Sequence, residues 1–129
     1  MTKIISLVVV AIFISGCSAS SHILLGEART PINASQVRVL MNEPTEYELI
    51  AIVESSSKFS IAVTEQGKIN VVLEELKVEA AKLGANGLLI NSVNNESVLV
   101  PVQNPNGSVS HYSGTNKVIK AKAIYITSE

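Results

Sequence analysis

Apolar residues repeat at helical spacing in one long stretch of the chain, between Thr64 and Gly84. The positions that form this stripe are Ile69, Val72, Leu73, Leu76, Ala80 and Leu83. Such a stripe indicates an amphipathic helix with one face on the core. Thr64 can cap the first turn, and Gly84 can adopt the left-handed conformation that ends a helix. The charged positions between the apolar ones, Glu75 and Glu79 among them, are interpreted as a solvated helix face rather than a carboxylate site.

Four further stretches have the alternation or the β-branched composition that favours strands. They are residues 36–41, 47–53, 88–93 and 117–126. The stretch 47–53 is almost continuously apolar, which is typical of a central strand covered on both faces. We therefore predict an α+β fold, in which one main helix packs on a small mixed or antiparallel sheet of about four strands.

An extra hairpin arm is predicted over about residues 95–116. Asn106-Gly107 lies between two β-prone pieces of this segment, and such a pair with strand-like flanks favours a hairpin. The apolar run on the arm can either cap the core or form a sticky surface. The candidate residues for an interaction surface are Val98, Leu99, Val100, Val102 and Tyr112.

The first residues have the layout of a secretory signal peptide. Lys3 is followed by an apolar run over residues 4–14, and small residues come next. Eleven helical residues span roughly 16 Å, about half of a bilayer core of roughly 30 Å, so the run is too short for a good membrane span. We therefore predict that residues 1–16 are a signal peptide.

The run ends in Ile14-Ser15-Gly16-Cys17, which resembles the lipobox of bacterial lipoproteins. This resemblance implies cleavage between Gly16 and Cys17, a diacylglyceryl group on the Cys17 sulfur and an acyl chain on the new amino terminus. Two or more acyl chains hold a protein stably at a membrane. Ser18 stands where an Asp tends to retain such proteins in the inner membrane, so the resemblance implies the outer membrane, on the periplasmic side, in a Gram-negative host. The alternative is a secreted protein with a free thiol near its start.

Residues 17–28 are predicted to be the tether between this lipid anchor and a single domain over residues 29–129. The segment begins with small polar side chains, which suit a mobile spacer. Ile23-Leu24-Leu25 is apolar and can dock on the domain instead. His22 is interpreted as a solvated linker histidine rather than a ligand.

Charge and cysteine usage narrow the classes of function. Ten basic and eleven acidic residues are well mixed along the chain. This balance argues against a nucleic-acid binder, which would show a basic stripe. Cys17 is the only cysteine, so the processed chain would have no free thiol for a disulfide or a thiolate metal site.

Three stretches together resemble small, largely uncharacterised bacterial lipoproteins. They are residues 29–53, which open with Arg29-Thr30-Pro31-Ile32, residues 80–87 with their Leu-Gly-Ala-Asn segment, and residues 121–125. These lipoproteins are distantly similar to RcsF-type outer-membrane stress sensors and to YbjQ-type domains, for which heavy-metal binding has been suggested. The resemblance spans about residues 29–127 and implies a compact α+β domain. It assigns no functional residue, because disulfides of the RcsF type and a cysteine cluster have no counterpart here.

No residue pattern in the chain points to catalysis. The sequence contains no Asp, no G-x-S-x-G elbow and no phosphate-loop or dinucleotide glycine pattern. His111 is interpreted as an exposed loop histidine, with metal or sugar binding beside Tyr112 as the alternative. We therefore expect a non-enzymatic protein without a metal site, whose only attached group is the covalent lipid on Cys17.

Three functions stay open at this stage. The favoured one is an envelope lipoprotein that binds an envelope protein as a sensor or assembly accessory, with the membrane as its second partner. The next is a metal or small-ligand binding module that uses His22, His111 and surface glutamates. The last is a hydrolase of cell-wall or lipid material, which would need a concave pocket with convergent Glu and His.

Overall fold

One helix and five strands build the fold of residues 20–59 and 64–128, the ranges that the structure, a computed structural model, describes. The strands are β1 (Ser20–Leu24), β2 (Arg38–Leu40), β3 (Glu46–Ser56), β4 (Gly87–Gln103) and β5 (Val109–Ser128), and the helix is α1 (Glu65–Lys82). Short 3₁₀ turns cover Ala34–Gln36 and Ser57–Phe59. The predicted α+β class with one main helix is confirmed, and the sheet has five strands rather than about four.

The sheet has the order β1-β3-β5-β4-β2. All neighbours are antiparallel except β2 and β4, which are parallel. Since β4 and β5 separate β2 from β3, residues 41–45 must cross the sheet. They cross on the face away from α1. The evidence is that Oε1 of Glu43 lies 3.7 Å from Nζ of Lys122, whose side chain is on that face. Ala121 and Ala123 pack in the core with α1, so Lys122 between them points to the opposite face, which we call the open face.

Both ends of α1 form as the sequence predicts. The Thr64 hydroxyl accepts a hydrogen bond from the Gly67 N–H at 3.0 Å. Gly84 follows the last turn with a φ of +74°. The core lies between α1 and one face of the sheet, and its fully buried members include Val72, Leu76, Ala80, Val53, Ile119 and Ala121.

The prediction that residues 47–53 are covered on both faces is wrong. Val53 is fully buried beneath α1, but Ile52 on the open face is 37% exposed. The crossing segment 41–45 lies toward the other end of that face, where Ile124 is fully buried. The apolar run therefore belongs to a strand with one covered face and one partly covered face.

The predicted tether is corrected over residues 20–24, which form an edge strand. β1 pairs with β3 from Ser20↔Ser55 to Leu24↔Ala51. Beyond the strand, the N–H group of Leu25 donates to the Ile50 carbonyl oxygen at 2.9 Å. Within the described residues, regular backbone pairing is already present at Ser20, three residues after Cys17. Gly16 and Cys17 lie outside the described residues together with the predicted signal peptide.

β4 and β5 are each much longer than the predicted strands 88–93 and 117–126. Their pairing continues from Asn95↔Lys117 to Gln103↔Val109, and residues 104–108 make the turn. We call residues 95–117 the ribbon. The sequence pattern breaks at polar residues 94–96, but these fit a two-stranded ladder, because much of its surface is exposed.

Candidate functional site

The five residues predicted to form an interaction surface all lie on the ribbon, and its pairing divides them between two faces. Val98, Val100 and Val102 alternate along β4, and Tyr112 pairs with Val100 from β5. These four residues share one face, which we call the valine face. Leu99 lies on the opposite face and is 72% exposed. The structure therefore brings four of the five predicted residues together and separates the fifth.

The valine face carries no formal charge and is exposed except at Val98, which is half-buried. Val100 is 47% exposed, Val102 40% and Tyr112 62%. Between Ser97 and Asn116 the sequence contains no Lys, Arg or Glu. Exposed apolar patches of this kind often mark contact with a protein, a lipid surface or a ligand.

The base of the ribbon is braced against the rest of the domain. The Nζ atom of Lys117 lies 2.7 Å from a carboxylate oxygen of Glu65, in the first turn of α1. Lys68, one turn later, donates from Nζ to the Thr115 carbonyl oxygen at 2.7 Å. The hydrogen bond from Lys117 lowers the pKa of the Glu65 carboxyl. These contacts fix how the ribbon leaves the sheet.

A second polar cluster joins β1 to α1. The Nδ1 atom of His22 lies 2.6 Å from Oε1 of Glu79. The Ser20 hydroxyl donates to Oε2 of Glu79 at 3.3 Å, and Lys82 Nζ lies 3.5 Å from the same oxygen. Burial, which alone would raise the pKa of the Glu79 carboxyl, is outweighed by the hydrogen bond from His22 and by Lys82. This pKa therefore lies below its ordinary value.

Two interpretations from the sequence are wrong at this cluster. Glu79 is only 7% exposed, so it does not belong to a solvated helix face. His22 lies in a strand and has a partner, so it is not a linker histidine. The signal in the sequence is the two-residue spacing of Ser20 and His22. In a strand this spacing places both side chains on the same face of the sheet, here the face on which Glu79 of α1 packs.

The cluster has the contacts of a structural network. Ser55 is 1% exposed, and its hydroxyl donates to the carboxylate of Glu75. In a Ser–His–carboxylate triad the serine hydroxyl is hydrogen-bonded to the histidine. Here the hydroxyls of Ser20 and Ser55 both donate to carboxylates instead. What the arrangement does chemically is neutralise a buried charge and hold β1 against α1.

The metal candidates do not converge. His111 is exposed on the ribbon, where it pairs with Pro101, whereas His22 lies beside α1. Across residues 20–59 and 64–128, no group of three or more His, Cys or acidic side chains is placed to hold a metal ion. Within the same ranges, no helix is long and apolar enough to span a membrane.

A groove of about 290 Å³ lies on the open face beside β1. Ile23 and Ile52 line it together with Lys120 and Lys122, and Lys120 Nζ lies 3.2 Å from a carboxylate oxygen of Glu54. The sequence analysis missed this groove because its lining comes from four different strands.

Comparison with known proteins gives one distant structural likeness. No protein-family model matches the chain, and no curated protein matches it. The chain is similar to the crystal structure of the Francisella virulence factor FvfA, with 17% sequence identity and a TM-score of 0.49. The alignment covers 82% of this chain and 97% of that chain. A likeness at this level assigns no function.

Proposed function

We propose that this chain is a lipid-anchored envelope lipoprotein that performs no catalysis and binds another envelope protein, as a sensor or an assembly accessory. The proposed anchor is Cys17, on the periplasmic side of the outer membrane, and it rests on the lipobox-like Ile14-Ser15-Gly16-Cys17. The observation that carries the binding role is the valine face. A partner that covers this face would remove exposed Val100, Val102 and Tyr112 from water.

The direction of β1 supports a partner at the membrane surface. Ser20 pairs with Ser55, and Ser55 pairs with Ile119, so β1 begins at the end of the sheet from which the ribbon extends. Three residues reach at most about 11 Å when fully extended, which bounds the distance from Cys17 to Ser20. An anchored Cys17 would therefore hold the base of the ribbon close to the lipid headgroups.

Small-ligand binding is a second candidate, and the groove on the open face favours it. The Lys120–Glu54 pair beside the groove offers a ligand both a donor and an acceptor. The groove's volume of about 290 Å³ lies just below the usual range of ligand pockets, roughly 300–1,000 Å³. For this reason we rank it below protein binding.

The test is crosslinking in living cells. The full chain is expressed in a Gram-negative host with a photoreactive residue at Val100, and membrane fractions are analysed by mass spectrometry. Leu99 is the matched control, since it is the next residue on β4 but lies on the opposite face. We expect an acylated Cys17 in the outer membrane and a discrete band to one envelope protein from position 100, much weaker from position 99 and lost in a Tyr112→Lys variant.

Two results would contradict the proposal in different ways. A soluble, unacylated protein would remove the anchor and the location. An acylated protein without a band from position 100, or with equal bands from positions 99 and 100, would remove the valine face as the binding surface.

A further inference from the structure

Near the base of the ribbon, alternate residues of β5 direct their backbone groups away from β4. The N–H group of Lys117 donates to the Ser57 hydroxyl at 2.8 Å. The carbonyl oxygen of Thr115 accepts from Lys68 Nζ at 2.7 Å. Both contacts lie on the side of β5 away from β4. The backbone N–H and C=O groups of the odd-numbered residues in this part of β5 therefore point away from β4, and we call these residues outward positions.

The tip of the ribbon gives the same alternation. The N–H group of Asn104 donates to the Ser108 carbonyl oxygen at 2.8 Å, so Ser108 points inward to β4. The outward positions between tip and base are therefore Val109, His111 and Ser113. Among the residues that the structure describes, no strand pairs with β5 along this edge.

The other edge of the ribbon is blocked. Pro101 pairs with His111 across the ladder. Since His111 is an outward position, the backbone groups of both residues in this antiparallel pair point away from the partner strand. Pro101 is therefore an outward position on the free edge of β4, and proline has no N–H group to donate there. A proline at such a position prevents a further strand from pairing, whereas the β5 edge has no proline.

We infer that Val109–Ser113 pairs with the same segment of a second copy of this chain, antiparallel about a two-fold axis at His111. The outward groups at 109, 111 and 113 are symmetric about that centre, so Val109 of one copy meets Ser113 of the other and every outward N–H group meets a carbonyl. A two-fold interface needs this self-complementarity. The segment carries no Lys, Arg or Glu, so the pairing brings no such like charges together.

The joined ribbons form one four-stranded sheet, with the two Pro101 residues at its outer edges. A two-fold axis perpendicular to this sheet places both valine faces on the same side, which doubles the surface offered to a partner. It also lets both copies reach one membrane through Cys17. This last step rests on the proposed function, and confinement to a membrane raises the effective concentration of the two segments. The pairing itself does not depend on the anchor.

A disulfide across the axis tests the pairing. The full chain with His111→Cys is expressed in a Gram-negative host, whose periplasm is oxidising. Residues opposed in a hydrogen-bonded antiparallel pair lie about 5.5 Å apart at Cα, which is within the range of a disulfide. Gln103→Cys is the matched control, because it lies on the same face of the ribbon but on the blocked edge.

We expect a disulfide dimer of His111→Cys on a non-reducing gel, on the order of tenfold more abundant than that of Gln103→Cys. The register is tested by co-expression of Val109→Cys and Ser113→Cys on chains with different tags, which should yield the mixed dimer and little of either homodimer. In that mixed pair, His111→Pro should remove the dimer and His111→Ala should preserve it, because only proline deletes the outward N–H group.

Three results overturn the inference. They are a monomeric His111→Cys chain, equal dimers from His111→Cys and Gln103→Cys, and a His111→Cys disulfide to a different protein. The parent chain, analysed beside the variants, keeps the proposed function separate. A disulfide dimer of the parent chain would reveal a free Cys17 thiol and contradict the lipid anchor. The difference in dimer yield between His111→Cys and Gln103→Cys would still show whether the β5 edge pairs with a second copy.

Discussion

The Nδ1 atom of His22 lies 2.6 Å from Oε1 of Glu79, and this contact ties the edge strand β1 to helix α1. Glu79 is buried, and Ser20 and Lys82 supply its other polar contacts. Among the described residues, β1 is the first element of the chain, and it begins three residues after Cys17. If Cys17 carries the proposed lipid anchor, a force on the anchor would reach the described domain through this strand, and the His22–Glu79 contact would oppose its detachment.

The first prediction concerns Glu79→Ala. This change removes the buried carboxylate that accepts from the exposed His22 and the half-buried Ser20. A typical hydrogen bond contributes about 0.5–1.5 kcal/mol net to stability. We expect a decrease of that size in the free energy of unfolding, measured by urea denaturation of the purified protein.

Glu74→Ala is the control, because the Glu74 side chain is 70% exposed on the same helix. Its effect should stay within about 0.5 kcal/mol. Equal effects of the two variants would show that the cluster at Glu79 does not stabilise the fold.

The second prediction concerns the pH dependence of the same contact. The pKa of Glu79 is lowered in the fold from its ordinary value of 4.5, since His22, Lys82 and Ser20 outweigh the effect of burial. A carboxyl with a lowered pKa contributes stability that is present above its ordinary pKa and is lost as pH falls through the folded-state value. The difference in unfolding free energy between the parent and Glu79→Gln should therefore be largest near neutral pH and shrink below pH 4.5. A difference that is constant down to acidic pH would contradict this.

The ends of α1 could be predicted from the sequence because their signals are local. Thr64 caps the first turn from three residues away, and Gly84 adopts its positive φ directly after the last turn. β1 could not be predicted in this way. From the local sequence, His22 is indistinguishable from a residue of a polar spacer. Its partner Glu79 lies 57 residues later in the chain, so only the folded structure shows their contact.

The sequence nominated the candidate interaction residues, but it could not predict how they are arranged. In the sequence, Val98, Leu99, Val100 and Val102 belong to the β-prone piece before the Asn106-Gly107 turn, and Tyr112 belongs to the piece after it. Which of them share a face depends on the register of β4 against β5. The direction of the β5 edge depends further on contacts from Ser57 and Lys68, which are distant in sequence. A local pattern contains none of this information.

The third prediction compares two glycines that both have positive φ. A Cβ atom at Gly84 would lie 2.6 Å from the carbonyl carbon of Arg29, whereas a Cβ atom at Gly107 would have nothing within 4 Å. Gly107→Ala should lower the free energy of unfolding by about 1–2 kcal/mol, because alanine must adopt the left-handed conformation there. Gly84→Ala should cost clearly more in the same thermal or urea unfolding experiment, because the backbone after α1 must also move away from Arg29. Equal costs would show that the contact with Arg29 relaxes freely.

The last prediction separates the residues that fold the domain from those that bind. Leu76 is fully buried between α1 and the sheet, so Leu76→Ala should lower the free energy of unfolding by about 2–5 kcal/mol. Tyr112 is 62% exposed on the valine face, so Tyr112→Ser should change it by less than about 0.5 kcal/mol. The same Tyr112→Ser chain should nevertheless lose the crosslinked band from position 100. A valine face that stabilised the isolated domain would instead give Tyr112→Ser a cost approaching that of Leu76→Ala, and its exposed residues would then need no partner to explain them.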